Sequence, residues 1–148
     1  YTGITRFASE IAGEQLKNLD YRKSELKQMY EMVEEAIKIL ERQTDPIREF
    51  GKLLHESWVL KRTLAKTITN SIINDIYNKG RGAGAYGGKL LGAGGGGFIL
   101  FIAPKDKHPK IKEALSNLVY VNFKFDQGGS KVIVYDPEDT ESSQSDKL

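Results

Sequence analysis

Apolar residues recur at helical spacing through the first half of the chain. Between Leu19 and Gln43 they follow one another at steps of one or three positions, which predicts an amphipathic helix. The residues of this stripe are Leu26, Met29, Tyr30, Val33, Ala36, Ile37 and Leu40. A shorter helix is predicted over Arg6 to Leu19, after an extended segment from Tyr1 to Ile4.

Two further helices are marked by their boundary residues. Asp45 and Pro46 supply an N-cap acceptor and a proline at the first helical position, so a helix is predicted to begin there. Its apolar positions include Trp58, which we expect in the core. Isoleucines at helical spacing predict the next helix, which is expected to end near Gly80, because glycine readily adopts the left-handed conformation that closes a helix.

The second half of the chain changes to short runs of β-branched and aromatic residues bounded by turn formers. These runs predict strands over Phe98 to Ile102, Val119 to Phe125 and Lys131 to Tyr135, with a short strand over Lys89 to Leu91. Apolar and polar residues alternate in the run that begins at Val119, which favours an antiparallel sheet with one solvated face. A helix is predicted over Lys107 to Leu118. The order of elements predicts an α+β fold.

Composition excludes several classes of protein. The 148 residues contain no cysteine and two histidines, which excludes a disulfide scaffold and a zinc site built on cysteine, and we expect no metal site. The longest strongly apolar run, Phe98 to Ala103, is far shorter than the roughly 20 residues of a membrane span. The chain opens without a secretory signal. We therefore expect a soluble, cytoplasmic protein with no membrane partner.

Charge is distributed unevenly along the chain. The formal net charge is +2, but residues 136–148 hold five acids and one lysine, which leaves 21 basic and 15 acidic side chains in residues 1–135. This excess suits a phosphorylated small ligand. It is spread along helices rather than concentrated in a basic block, so we expect no nucleic-acid partner. Residues 136–148 lack apolar periodicity and are predicted to form a disordered acidic tail.

Ten of the fifteen glycines fall between Gly80 and Gly97. Two stretches match G-x-G-x-x-G, but neither follows a strand and precedes a helix, as a dinucleotide fingerprint requires. A Walker A loop is also excluded, because Leu90 follows Lys89 where Ser or Thr is needed. Two explanations of the loop from Gly92 to Gly97 remain open. In the first, its amides converge on an anion, which the missing Cβ atoms allow to approach closely; in the second, it is a loose hairpin connection or a place where another element packs tightly without a ligand.

Lys89 to Phe98 resembles the third, C-terminal glycine-rich motif of the GHMP kinases, which are named for galactokinase, homoserine kinase, mevalonate kinase and phosphomevalonate kinase. Tyr1 to Arg6 resembles the segment that begins the C-terminal half of several members. His55 to Arg62 and Ala85 to Lys89 are similar to the sugar-phosphate branch, and within it to kinases of heptose 7-phosphate. The resemblance covers residues 1 to about 135.

The resemblance implies a ferredoxin-like C-terminal domain, with a four-stranded antiparallel sheet backed by helices, over residues 1–135. It also implies ATP-dependent phosphorylation of a sugar phosphate, with ATP and Mg²⁺ as cofactors. Kinases of this family carry an upstream domain with a phosphate loop and a catalytic aspartate, and no segment here resembles either. We therefore expect no catalytic residue in this chain, no activity in isolation, and Mg²⁺ held mainly by that upstream domain, which is the expected partner.

The candidate phosphate loop consists of Gly92, Ala93, Gly94, Gly95, Gly96 and Gly97. The candidate substrate-binding residues are Lys89, Lys61, Arg62 and Arg6, because phosphoryl transfer depends on positioning and on stabilising charge. Each of these cations also has a structural interpretation, as a solvated side chain or a complement to a helix dipole. His55 is interpreted as a packing or surface residue rather than a base.

Two expectations concern the loop and the N-terminal segment. Valine at Gly94 or Gly95 is expected to block phosphoryl transfer while leaving the domain folded. Tyr1 to Phe7 is expected to leave an apolar seam exposed, through which the chain self-associates. The alternative function is a non-catalytic α+β module that binds an anionic metabolite or a partner protein through the glycine loop.

Overall fold

The computed structural model describes residues 1–42 and 45–133. Five helices and two strands follow one another along these residues, joined in three places by single 3-10 turns. The elements are α1 (Ala8–Asn18), α2 (Lys23–Glu41), α3 (Pro46–Leu64), α4 (Ser71–Gly82), β1 (Gly87–Leu90), β2 (Ile99–Ile102) and α5 (His108–Ala114). The 3-10 turns are Leu19–Arg22, Lys66–Ile68 and Lys105–Lys107. This order confirms the predicted α+β class.

Capping residues fix where α3 and α4 begin. The Asp45 carboxylate accepts a hydrogen bond from the backbone N–H of Arg48 at 3.4 Å, and Pro46 occupies the first turn, as predicted. The Asn70 side chain accepts from the N–H of Ile73 at 3.0 Å at the start of α4. Both side chains satisfy an N–H that has no partner inside the helix.

Helix α2 uses only part of the predicted apolar stripe to face the core. It packs on α3 through half-buried Met29, Met32 and Ala36 and through buried Ile39. The predicted stripe mixed this face with a second one, whose members are exposed: Tyr30, Val33, Ile37 and Leu40. Because both stripes have helical spacing, periodicity alone does not identify which of them faces the core.

The two strands pair antiparallel, with Gly87 opposite Ile102 and Leu90 opposite Ile99. Helix α3 lies directly on β1, and the approach is so close that a Cβ on Gly87 would overlap the carbonyl oxygen of Gly51 in α3. Two glycines therefore allow a helix backbone and a strand backbone to touch.

The main hydrophobic core lies between α3, α4 and β1. Its fully buried side chains are Trp58, Ile68, Ile73 and Leu90, which confirms the prediction for Trp58. Tyr77 of α4 joins the helices to the sheet, since its ring centroid lies 6.1 Å from that of Trp58 and 5.8 Å from that of Phe101. Aromatic contacts at these separations add to the energy of burial.

The predicted four-stranded sheet is not shown, because the described residues form a sheet of two strands. Residues Val119 to Phe125 and Lys131 to Ile133 have no strand partner, and their apolar side chains are exposed, with Phe125 at 92%. An alternating sequence gains the stability of a strand only when a neighbour satisfies its backbone and covers its apolar face. Helix α5 is also shorter than predicted, since it ends at Ala114.

Other expectations fall outside the described part of the chain. The last two residues of the predicted strand that ends at Tyr135, and the whole of the predicted tail over 136–148, lie there. Within the described ranges, no helix combines the length and hydropathy required to cross a bilayer.

The contact between α3 and β1 predicts a specific sensitivity to a single methyl group. We expect Gly87→Ala to lower the free energy of unfolding by about 3 kcal/mol or more, because the overlapping atom belongs to the backbone and cannot rotate away. Gly82→Ala is the matched control. No atom lies within 4 Å of a Cβ at that helical position, so stability should stay the same or rise by about 0.5–1 kcal/mol. Urea denaturation of both variants measures the difference, and equal midpoints would contradict the close approach.

Candidate functional site

The glycine loop is held on one side by the N-terminal segment of the chain. The N–H and the hydroxyl of Thr2 both donate to the carbonyl of Gly97, at 2.8 Å each. The N–H of Gly97 donates to the carbonyl of Ile4 at 3.0 Å. The predicted extended segment therefore serves as a partner for the loop, although it is not a strand of the sheet.

Three further contacts hold the loop from the helical side. The N–H of Gly95 donates to the carbonyl of Ile68 at 2.8 Å. The Gln15 amide of α1 donates to the carbonyl of Ala93 at 2.9 Å, and the Lys61 ammonium of α3 donates to the carbonyl of Gly92. Residues that are distant in the sequence thus fix the backbone of the loop.

Packing explains why the centre of the loop is glycine. A Cβ at Gly94 would lie 2.8 Å from the Cα of Ile68, and a Cβ at Gly95 or Gly96 would overlap Ile11 or the carbonyl of Ile4. Gly94 and Gly95 also adopt φ angles of 125° and 73°, which disfavour L side chains. The expectation that valine at Gly94 or Gly95 leaves the domain folded therefore has to be corrected.

Several backbone N–H groups of the loop remain free within the described residues. Gly92 has φ 73° and Gly97 has φ 97°, and at neither position would a Cβ meet an atom within 4 Å. Across residues 1–42 and 45–133, the N–H groups of Gly92, Ala93, Gly94 and Gly96 make no hydrogen bond to the protein. The loop and the N-terminal segment line an open cleft of about 280 Å³. Free amides beside a cleft are suited to an anionic ligand.

Two of the candidate cations lie together at the start of the loop. Lys61 reaches the loop through its contact with Gly92, and Lys89 is its neighbour in β1. Burial and the positive charge of Lys89 lower the pKa of Lys61. Within the described ranges neither lysine forms an ion pair. The start of the loop therefore carries two neighbouring positive charges that no described acid neutralises.

The two candidate arginines are placed differently from each other. Arg6 lines the cleft, and its side chain lies against Gly95. Arg62 points into the helical layer instead, where its guanidinium carbon lies 5.7 Å from the centroid of the Trp58 ring and one of its nitrogens is 3.4 Å from the Asn74 side chain. Arg6 thus joins the candidate site, and the contacts of Arg62 are structural.

His55 forms a polar contact inside the helical layer rather than in the cleft. Its Nδ1 lies 2.7 Å from the hydroxyl of buried Tyr77, and the two rings are stacked. Burial, followed by the positive charges of Arg81 and Arg62, lowers the pKa of His55, and Glu56 opposes this shift. This environment favours neutral histidine and agrees with the predicted packing role.

The described residues do not offer a site that fits Mg²⁺. Across the described ranges, no three His, Asp or Glu side chains cluster in a way that could hold a metal ion. Mg²⁺ in proteins is bound mainly through carboxylates and ligand phosphates. The carboxylate of Glu14 is already engaged, since it accepts hydrogen bonds from the N–H of Lys66 and the hydroxyl of Thr67. The cleft is lined by loop backbone and by the guanidinium side chain of Arg6, and N–H donors of this kind suit phosphate rather than metal.

Comparison with known proteins identifies the family. Residues 43–121 match the family model described as GHMP kinases C terminal. The chain is also 35% identical over 136 residues to a D-glycero-alpha-D-manno-heptose 7-phosphate kinase of Campylobacter jejuni. The chain belongs to the GHMP kinase family. Among solved structures, this GHMP kinase chain is similar to L. major mevalonate kinase in complex with R-mevalonate, with a TM-score of 0.67 and 23% identity, which confirms the fold.

The chain corresponds to part of each of these kinases. The aligned region covers 88% of this chain and 39% of the Campylobacter kinase. The structural match covers 78% of this chain and 36% of the mevalonate kinase. The comparisons thus confirm the resemblance to GHMP kinases over most of the chain. The chain spans about two fifths of the length of the kinases that it matches.

The environment of His55 predicts how stability depends on pH. A histidine whose pKa is lowered in the folded state binds fewer protons there than in the unfolded chain, where its pKa is about 6.5. The stability that neutral His55 contributes to the folded state is therefore present above about pH 6.5 and is lost as the pH falls. We expect the free energy of unfolding to decrease between pH 7.5 and 5.5 in wild type, and to decrease less in His55→Gln.

His108→Gln is the matched control for this experiment. His108 is exposed in α5 and is the second of the two histidines in the chain. Urea denaturation at pH 7.5 and 5.5 should show the same decrease in the free energy of unfolding in this variant as in wild type. The assignment would be contradicted if His108→Gln abolished this decrease and His55→Gln left it unchanged.

Proposed function

We propose that this chain is the C-terminal part of a cytoplasmic ATP-dependent sugar-phosphate kinase, and that its glycine loop binds a phosphate during transfer to an acceptor similar to heptose 7-phosphate. The observation that carries this proposal is the pairing of free loop amides with the neighbouring ammonium groups of Lys61 and Lys89. The Campylobacter relative supports the choice of acceptor, because its name states a heptose 7-phosphate substrate.

Electrostatics favours a phosphate at the start of the loop. Holding two ammonium groups near each other in a partly buried place costs free energy, as the lowered pKa of Lys61 reflects. A doubly charged phosphate offsets this repulsion and accepts hydrogen bonds from both lysines and from the amides. We assign Lys61 and Lys89 to the phosphate that the acceptor already carries.

Arg6 lies at the other side of the cleft, against Gly95. We assign it, with the amides of Gly94 and Gly96, to the phosphoryl group of ATP. ATP supplies the transferred group. The residues that bind Mg²⁺ are proposed to lie outside the described residues, in the upstream kinase domain, which is the proposed partner of this chain.

Removal of either lysine charge is predicted to affect phosphorylated acceptors selectively. In the kinase that contains this chain, we expect Lys61→Met and Lys89→Met to raise KM for heptose 7-phosphate about tenfold or more, because each removes a charge-assisted contact worth roughly 1.5–3 kcal/mol. KM for ATP should change little. Steady-state kinetics with the phosphorylated and the unphosphorylated sugar measures this selectivity.

Lys110→Met provides the matched control, because this lysine is exposed in α5. It should leave both KM values unchanged. If Lys61→Met and Lys89→Met changed KM equally for the phosphorylated and the unphosphorylated sugar, the two lysines would not belong to the phosphate site. That result would favour the alternative function, a non-catalytic module that binds an anionic metabolite or a partner protein.

The chain alone is predicted to be inactive as a kinase. It contributes loop amides and cations, and the phosphate loop and the catalytic aspartate of the family have no counterpart in its sequence. A coupled assay with the purified chain, ATP, Mg²⁺ and heptose 7-phosphate should give the rate of a blank without protein. Turnover well above that blank would show that catalysis resides in these 148 residues.

A further inference from the structure

Helix α2 carries a second apolar stripe that faces away from α3. Its side chains are 73% (Tyr30), 55% (Val33), 47% (Ile37) and 59% (Leu40) exposed. Single exposed apolar residues are ordinary on protein surfaces, but a continuous row of them marks an interaction surface. We call these four residues the outer stripe of α2.

The spacing of the outer stripe is that of a helix-pairing seam. Its members follow one another at steps of three, four and three positions, as the a and d positions of a heptad do. At about 1.5 Å per residue the seam is ~15 Å long. A partner that matches it is another helix with the same spacing, and a second copy of α2 provides one.

The charges beside the outer stripe are complementary in one arrangement. Lys27, Glu34 and Glu41 recur every seven residues along one edge of the stripe. In an antiparallel pair of α2 helices these edges face each other, so Lys27 of each copy lies opposite Glu41 of the other. The single like-charge contact is between the two Glu34 side chains at the centre of the pair.

A parallel pair lacks this complementarity. The other edge of the outer stripe carries Met29 and Ala36, which are half-buried toward α3. In a parallel pair each charged edge would face this apolar edge, and the charges would gain no partner. The intrahelical contact of Lys27, 3.7 Å from Glu31 with both side chains largely exposed, is a weak surface pair and leaves the lysine available.

We propose that the chain forms a homodimer through the outer stripe of α2, with the two α2 helices antiparallel. In this dimer Tyr30 of each copy packs against Leu40 of the other, and Val33 packs against Ile37. The α2–α3 pair of each copy then forms half of a four-helix layer. This surface differs from the N-terminal seam expected from the sequence and from the glycine loop, so the dimer leaves the cleft open.

Sedimentation equilibrium of the 148-residue chain tests the dimer and its surface. We expect a reversible dimer in wild type and at least a tenfold weaker association in Val33→Glu, because the variant places a charge in the apolar seam. Phe125→Glu is the matched control. It introduces the same charge at an apolar side chain that is 92% exposed outside α2, and it should dimerise like wild type.

Charge reversal tests the antiparallel arrangement. Lys27→Glu and Glu41→Lys should each weaken the dimer, because each places like charges opposite one another, and the double variant should restore it. Glu34→Gln should strengthen it by removing the repulsion at the centre. Circular dichroism of each variant checks that the helices remain folded. A monomeric wild type, a dimer broken by Phe125→Glu, or a double variant weaker than both single variants would overturn the proposal.

Discussion

The close approach of glycine backbones is the constraint on which this structure depends. At Gly51 and Gly87 it brings α3 onto β1, and at Gly94 to Gly96 it brings the loop onto the N-terminal segment and the 3-10 turn that ends at Ile68. A side chain at Gly87, Gly94 or Gly96 would meet backbone atoms of the facing element, and around the loop those backbones carry the hydrogen bonds between elements. The density of glycine in this region thus reflects contact between backbones as much as freedom of conformation.

The glycine loop combines close packing with backbone N–H groups that make no hydrogen bond within the described residues. The centre of the loop is packed, with the N–H of Gly95 used by Ile68. The flanks at Gly92 and Gly97 are open, and their positive φ angles direct the chain around the cleft. Internal hydrogen bonds fix the positions of the free amides before any ligand arrives, which reduces the entropy lost on binding.

Local features of the sequence were sufficient to predict the five helices and two short strands that overlap β1 and β2. Caps such as Asp45 and Asn70 act within three residues, and apolar spacing acts within one or two turns. The contacts that build the site are long-range instead. Gln15 reaches Ala93 across 78 positions, and Thr2 reaches Gly97 across 95, and no local pattern indicates either contact.

The strands predicted after Val119 show why alternation alone is insufficient. In β1 and β2 the backbone groups are paired and the apolar side chains lie against helices. The side chains of Tyr120 and Phe123, in contrast, are 61% and 58% exposed. Strand preference measures how well a side chain fits a paired, half-buried surface. The same sequence therefore forms no strand within the part of the chain that the structure describes.

Charge distribution favours a binding role rather than a proton-transfer role for the proposed site. A base that accepts a proton from a sugar hydroxyl must be within hydrogen-bond reach of it and unprotonated. Lys61 has a lowered pKa, and its terminal nitrogen donates to the Gly92 carbonyl, which holds that nitrogen at the start of the loop. His55 also has a lowered pKa, and its ring lies against the hydroxyl of Tyr77 in the helical layer. The described residues therefore offer N–H donors and positive side chains at the loop, which are suited to orienting an anionic group.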